Sequence, residues 1–140
     1  MIQYPAKIKY SASDACYLVT FPDLPGCATY GETIDDARHN AREALTGYLE
    51  SIDMRKIEIP IPSKMTGRTV NYISPEKRVA FALWLKIKRN EHGYTQKDMA
   101  KKLNINFQSY QKFENPKTTN PTLKTIEKVE NVLSESVLCV

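Results

Sequence analysis

Between Gln96 and Lys117 the sequence gathers side chains suited to reading and gripping a polyanion: Gln96, Lys97, Asn106, Gln108, Gln111, Lys112 and Lys117, with Phe107 among them. An amide such as that of Gln108 bonds adenine through both its donor and its acceptor, and a lysine such as Lys112 reaches the acceptors of guanine, when a helix carries them into the major groove. Gln96, Lys97 and Lys117 suit phosphate contacts, which position a protein without specifying sequence. Asn106 either touches a base or only caps its helix. Residues suited to catalysis are sparse. Neither of the two histidines, His39 and His92, has a nucleophile spaced to pair with it. His39 reads as a solvent-facing helical residue and His92 as a cation at a helix C-terminus before Gly93. A two-metal nuclease needs several carboxylates converging from strands. Here Asp14, Asp23 and Glu32 fall in turns, and Asp35 and Asp36 in the positive first turn of a helix. The three cysteines, Cys16, Cys27 and Cys139, lack any Cys-x-x-Cys spacing and read as small buried thiols on strands. No catalytic residue, metal site or cofactor is expected.

The recognition side chains need helices, and the pattern supplies them. Ser74-Pro75-Glu76 gives an N-cap, a proline at the first helical position and an acid in the first turn, so a helix is predicted from there to about Asn90. Within it Val79 to Leu85 is an unbroken apolar run, too wide to face one small core; it must pack on two sides, against its own bundle and against the other half or another subunit. Thr95 and Asp98 form a capping-box pattern that opens a short helix with Met99, Ala100 and Leu103 inward. Asn104-Ile105-Asn106 turns the chain, and Asn106 caps a third helix, Phe107 to Glu114, with Tyr110 and Phe113 inward and Phe107, Gln108, Gln111 and Lys112 outward. Asn115-Pro116 ends it. Pro121-Thr122 starts a fourth helix with Ile126, Val129 and Leu133 inward, and Val137 to Val140 reads as a terminal strand.

The first half follows the period of a sheet. Tyr4 to Tyr10 alternates Ala6, Ile8 and Tyr10 against Lys7 and Lys9, and Cys16 to Phe21 is β-branched and aromatic, so the two form an antiparallel hairpin. Pro22-Asp23-Leu24-Pro25-Gly26 stops it, because proline cannot donate to a ladder and Gly26 supplies a permissive φ; Cys27 to Gly31 is a short third strand. Thr33 caps a helix whose stripe is Ile34, Ala37, Ala41, Ala44, Leu45, Tyr48, Leu49 and Ile52. Ile57 to Pro62, interrupted by prolines, must be extended at an edge, and Thr69 to Ile73 is a fourth strand. The fold class is therefore α+β: βββαβ over 1–73, then an all-α domain over 74–140 with a short C-terminal strand.

Composition agrees with a folded chain, since 41% of the 140 residues are apolar and 26% charged. No apolar run approaches the ~18 residues of a membrane helix and the N-terminus lacks a signal core, so a cytoplasmic protein without membrane contact is expected. Charge is divided unevenly. Residues 1–73 hold 8 Lys and Arg against 9 Asp and Glu, residues 74–140 hold 12 against 7, which directs the second half toward a polyanion.

Two resemblances sharpen this reading. Tyr17-Leu18-Val19-Thr20-Phe21-Pro22-Asp23-Leu24-Pro25-Gly26-Cys27, then Gly31-Glu32-Thr33 and the later Ile61-Pro62-Ser63, resemble the N-terminal domain of HicB-type antitoxins. The resemblance implies a partial, inactive RNase H-like fold that binds a HicA-type mRNA-cleaving RNase toxin, with Pro22, Asp23, Leu24, Pro25 and Gly26 as candidate toxin contacts. Tyr94 to Leu133 resembles the XRE-type helix-turn-helix of Cro and phage repressors, with Gln96 as first position, Ala100 as the small buried residue, Asn104 in the turn where the family usually has Gly, and Tyr110 and Phe113 at core positions. It implies operator DNA as partner. A single helix-turn-helix buries little surface, so a homodimer or higher homo-oligomer is expected, with recognition helices about 34 Å apart. The reading is a non-enzymatic antitoxin that represses its own operon. The alternatives are a stand-alone XRE-type regulator whose N-terminal domain senses a ligand or partner, and, without carboxylates to support it, a chain that itself cleaves RNA.

Overall fold

The computed structural model describes residues 1–137. They form two compact units: Gln3–Glu76, and a second that begins at Lys77 and also takes in Met1 and Ile2. The α+β class expected from the sequence is observed.

In the first unit β1 (Tyr4–Ser11), β2 (Cys16–Thr20), β3 (Ala28–Gly31) and β4 (Val70–Ile73) build one antiparallel sheet in the order β3-β2-β1-β4. α1 (Ile34–Met54) lies on one face, burying Ala37, Ala41, Leu45, Thr46, Leu49 and Ile52. Against it the sheet buries Tyr4, Ala6, Ile8 and Val19; truncating a residue such as Leu45 to Ala would cost about 2–5 kcal/mol. Thr33 caps α1, its hydroxyl accepting from the Asp36 amide at 3.0 Å. Gly31 lets α1 come so near: a Cβ there would lie 2.3 Å from the Ala37 nitrogen, on rigid backbone.

Four local expectations change in this unit. Ile34, expected on the packing stripe of α1, is 38% exposed. Tyr10 is 58% exposed rather than inward; it sits at the far end of β1, where its ring meets Tyr17 edge-on at 5.1 Å. The 57–62 segment joins no ladder, because Pro60 and Pro62 lack the N–H that pairing requires; the sheet edges are β3 and β4. Ser74 does not start a helix. Its hydroxyl accepts from the Gln3 side chain at 3.0 Å, and the Glu76 amide donates to the Thr46 hydroxyl at 3.0 Å, so the helix begins two residues after Pro75.

The second unit holds α2 (Lys77–Glu91), α3 (Gln96–Lys102), α4 (Phe107–Glu114) and α5 (Leu123–Leu133). All residues from Val79 to Leu85 are buried. Phe81, Trp84 and Leu85 join Met99, Ala100, Leu103, Tyr110, Val129, Leu133 and Val137 in one core, with Phe113 and Ile126 packed against it. Thr95, Asn106 and Thr122 cap α3, α4 and α5, and Thr95 and Asp98 form the reciprocal capping box. Asn104 adopts φ +57; its own amide and that of Ile105 bond back to the carbonyls of Lys101 and Ala100 at 3.1 and 3.0 Å, closing α3 in the left-handed manner expected of Asn. The remaining residues of the expected terminal strand, 138–140, with Cys139 among them, lie outside the described residues.

Candidate nucleic-acid interface

α3, the Asn104 turn and α4 make a helix-turn-helix, and α4 is fixed from its inner side by a buried carboxylate. Glu114, 3% exposed, takes a two-pronged ion pair from Arg89 on α2, with Nε to Oε2 at 2.6 Å and Nη2 to Oε1 at 3.1 Å. The Tyr110 hydroxyl donates to Oε2, and the Gln96 Nε2 to Oε1 at 3.1 Å. One carboxylate thus ties together α2, the start of α3 and the last turn of the inner face of α4. Burial works against the Arg89 charge, but the hydrogen bond and charge of Glu114 outweigh it and hold the guanidinium above its ordinary pKa. Burial first, then the Glu114 charge, push the Tyr110 phenol upward, so it serves as a neutral donor.

With its inner face so held, α4 turns Gln108, Gln111 and Lys112 to solvent. Phe107, expected outward, is half-buried, with the Lys97 ammonium 5.7 Å above its ring. Asn106 is exposed, but its Oδ1 accepts from the Ser109 amide at 2.8 Å, so capping occupies it. The Gln96 amide is engaged at both ends: beyond Glu114, its oxygen lies 3.5 Å from the Gln111 Nε2. What remains for a phosphate at Gln96 is the backbone at the start of α3. Lys97 and Lys117 are exposed. An open recess of about 550 Å³, lined by Arg89, Tyr94, Gln96, Lys97 and Phe107, adjoins the start of α3. His92 bonds the α2 end through Nδ1 and the Lys88 carbonyl at 2.9 Å.

Glu114, Arg89 and the Tyr110 hydroxyl were not among the residues singled out from the sequence. A signal existed: Glu114 falls four residues after the inward Tyr110, on the same helical stripe, where a charge must have a buried partner.

In the first unit the Pro22 to Gly26 turn is held from three sides. The Asp23 carboxylate accepts from the Ser63 amide at 2.8 Å and from the Ser63 hydroxyl, the Tyr48 hydroxyl donates to the Pro25 carbonyl at 3.0 Å, and Leu24 is fully buried in the core. Pro22, Pro25 and Gly26 remain exposed; Asp23 and Leu24 are occupied in shaping the turn. Next to it, burial pushes the Cys27 thiol up to about 11. Among the described residues no helix is long and apolar enough to cross a membrane.

An antiparallel sheet backed by one helix, followed in the chain by a helix-turn-helix bundle, is the architecture of a two-part chain with a DNA-binding module. A family model described as a HicB-like antitoxin of bacterial toxin–antitoxin systems matches residues 4–110, and one described as a helix-turn-helix matches residues 85–137. The chain belongs to the HicB-like antitoxins. It is 43% identical over 47 residues to the UPF0150 protein Ta0767 of Thermoplasma acidophilum, covering 34% of this chain and 68% of that protein. It is 39% identical over 44 residues to an uncharacterized 14.9 kDa protein in the rep-hol intergenic region of Haemophilus phage HP1, covering 31% of this chain and only 33% of that protein. The crystal structure of the N-terminal domain of the Burkholderia pseudomallei antitoxin HicB resembles it with a TM-score of 0.46 and 27% identity, covering 54% of this chain and 99% of that one.

Proposed function

We propose that the chain neutralises a HicA-type mRNA-cleaving RNase toxin through its sheet unit and represses its own operon through its helix-turn-helix, doing no catalysis itself. The observation that carries this reading is the co-occurrence, in one chain of an antitoxin family, of the antitoxin match over 4–110 and an α4 whose inner face is pinned by Glu114 while Gln108, Gln111 and Lys112 face out. Gln108 and Lys112 read bases, Gln111 and Phe107 flank them, and Lys97, Lys117 and the α3 N-terminal backbone with Gln96 grip phosphate; Asn106 sets the helix that carries them. Pro22, Pro25 and Gly26 offer a rigid, exposed turn to the toxin, shaped by Asp23 and Leu24. Two copies, working in the cytoplasm, place their α4 helices about 34 Å apart on a palindrome.

The test is co-expression with the product of the adjacent gene. The full chain restores growth to cells arrested by that protein and co-purifies with it, and the complex retards a duplex from upstream of the operon. A chain that binds the duplex but neither rescues growth nor co-purifies would instead be a stand-alone regulator.

A further inference from the structure

The sheet has a second face, which the proposed roles leave unused. Strand neighbours directly opposite one another point the same way, and the register pairs Lys7 with Thr20 and Val70, Lys9 with Leu18, Leu18 with Tyr30, and Pro5 with Tyr72. Tyr4, Ala6 and Ile8 point toward α1, so Lys7 and Lys9 and their row-mates point away from it. An antiparallel sheet with one free face normally turns polar residues outward. Here Leu18, Tyr30 and Tyr72 are 41%, 64% and 44% exposed on that side, and Lys7 and Lys9 are exposed between them, while Pro5 beside Tyr72 is buried.

The charge pattern is just as uneven. Residues 1–73 contain more acids than bases, yet none of the outward positions on the four strands carries a carboxylate, and neither lysine makes an ion pair among the described residues. Tyr72 is also held in place: its hydroxyl accepts from the Met65 amide at 2.7 Å and donates to the Met65 carbonyl at 3.0 Å, so an exposed ring is kept in one orientation.

We propose that this face binds single-stranded nucleic acid, with bases stacked on Tyr30 and Tyr72 and the phosphate backbone passing over Lys7 and Lys9. Exposed aromatic rings interleaved with cations, on strands whose outward positions carry no acid, are the chemistry that recognises unpaired bases joined by phosphates. The rings stand on opposite edge strands, three strand intervals or roughly 14 Å apart across the sheet and offset along it by a similar distance, which gives room for a few nucleotides laid diagonally with the lysines midway. A protein that itself grips RNA carries cationic surface and would meet Lys7 and Lys9 with like charge, so the inference stands apart from the toxin reading.

The test is fluorescence anisotropy of labelled 12-mer oligouridylate and oligoadenylate with the full chain. Binding should saturate and weaken with salt. The Lys7→Ala/Lys9→Ala double variant and Tyr30→Ser should each weaken it about tenfold, Tyr30→Phe should restore it because the π-face is kept, and Gln108→Ala/Lys112→Ala should leave it unchanged. Absence of binding, or binding abolished only by the α4 substitutions, would overturn the proposal. So would co-purification of the adjacent gene product being lost with Lys7→Ala/Lys9→Ala while oligonucleotide binding persists, since the face would then dock a protein.

Discussion

Replacing Glu114 by Ala removes the acceptor of Arg89, Tyr110 and Gln96 in one step. The ion pair is close to dry, with side-chain exposures of 12% for Arg89 and 2% for Glu114, so Arg89 cannot recover its hydration without moving. Stripping one partner from a buried pair costs about 3–5 kcal/mol, and the orphaned Tyr110 hydroxyl, at 0% exposure, belongs to the same penalty at about 1–3 kcal/mol. Gln96 is partly exposed and turns to water at little cost. Because these contributions overlap, the expected loss is about 4 kcal/mol. Glu114→Gln keeps the shape and an acceptor but not the charge, and should lose about 2 kcal/mol. Arg89→Met with Glu114→Met removes both charges and should lie within about 1–2 kcal/mol of the parent. Urea unfolding followed by the fluorescence of Trp84, the chain's one tryptophan and part of the same core, reads this unit selectively. A Glu114→Ala loss below about 1 kcal/mol, or a double variant less stable than either single one, would refute the view that the carboxylate holds α4 in place.

Other outcomes follow from the same geometry. Asn104→Ala places a β-carbon in the left-handed conformation at φ +57 and should cost about 1 kcal/mol, measured by denaturant unfolding, whereas Asn104→Gly should be neutral or slightly stabilising. Hydrogen bonds from the Thr95 backbone and side chain hold the Asp98 carboxyl below its ordinary pKa. The capping box therefore contributes in full above the unfolded value and fades as pH falls through the lower folded one, so the protection factors of amides at the α3 N-terminus, taken relative to intrinsic exchange at each pH, should fall only below about pH 4. Gln108→Ala and Lys112→Ala should each lose about 1–3 kcal/mol of operator affinity in gel shifts and relax specificity. Lys117→Ala should weaken all sequences alike and flatten the salt dependence.

The features legible in the sequence were those written locally. Thr33, Thr95, Asn106 and Thr122 cap the helices they open, and Asn104 takes the left-handed turn, because a cap or a turn is decided within four residues. The β1–β2 hairpin followed from alternation and from the few residues between the two strands. The failures needed knowledge of distant partners. Ser74 has the chemistry of a cap, but Gln3, far away in the chain, claims its hydroxyl. Leu24 sits in a proline-rich turn that reads as surface, yet it fills the core. Glu114 showed its place on the inward stripe but not its partner, since Arg89 lies 25 residues earlier.

The sheet also has a consequence for how the chain is made. β1 is bonded on both sides, to β2, which follows at once, and to β4, which arrives only with Val70. During synthesis at about 5–20 residues per second, one flank of β1 waits several seconds with its amides and carbonyls unpaired. Translation that stalls before Val70 would leave that flank open to neighbouring nascent chains, making ribosome pausing over this stretch a direct source of aggregation.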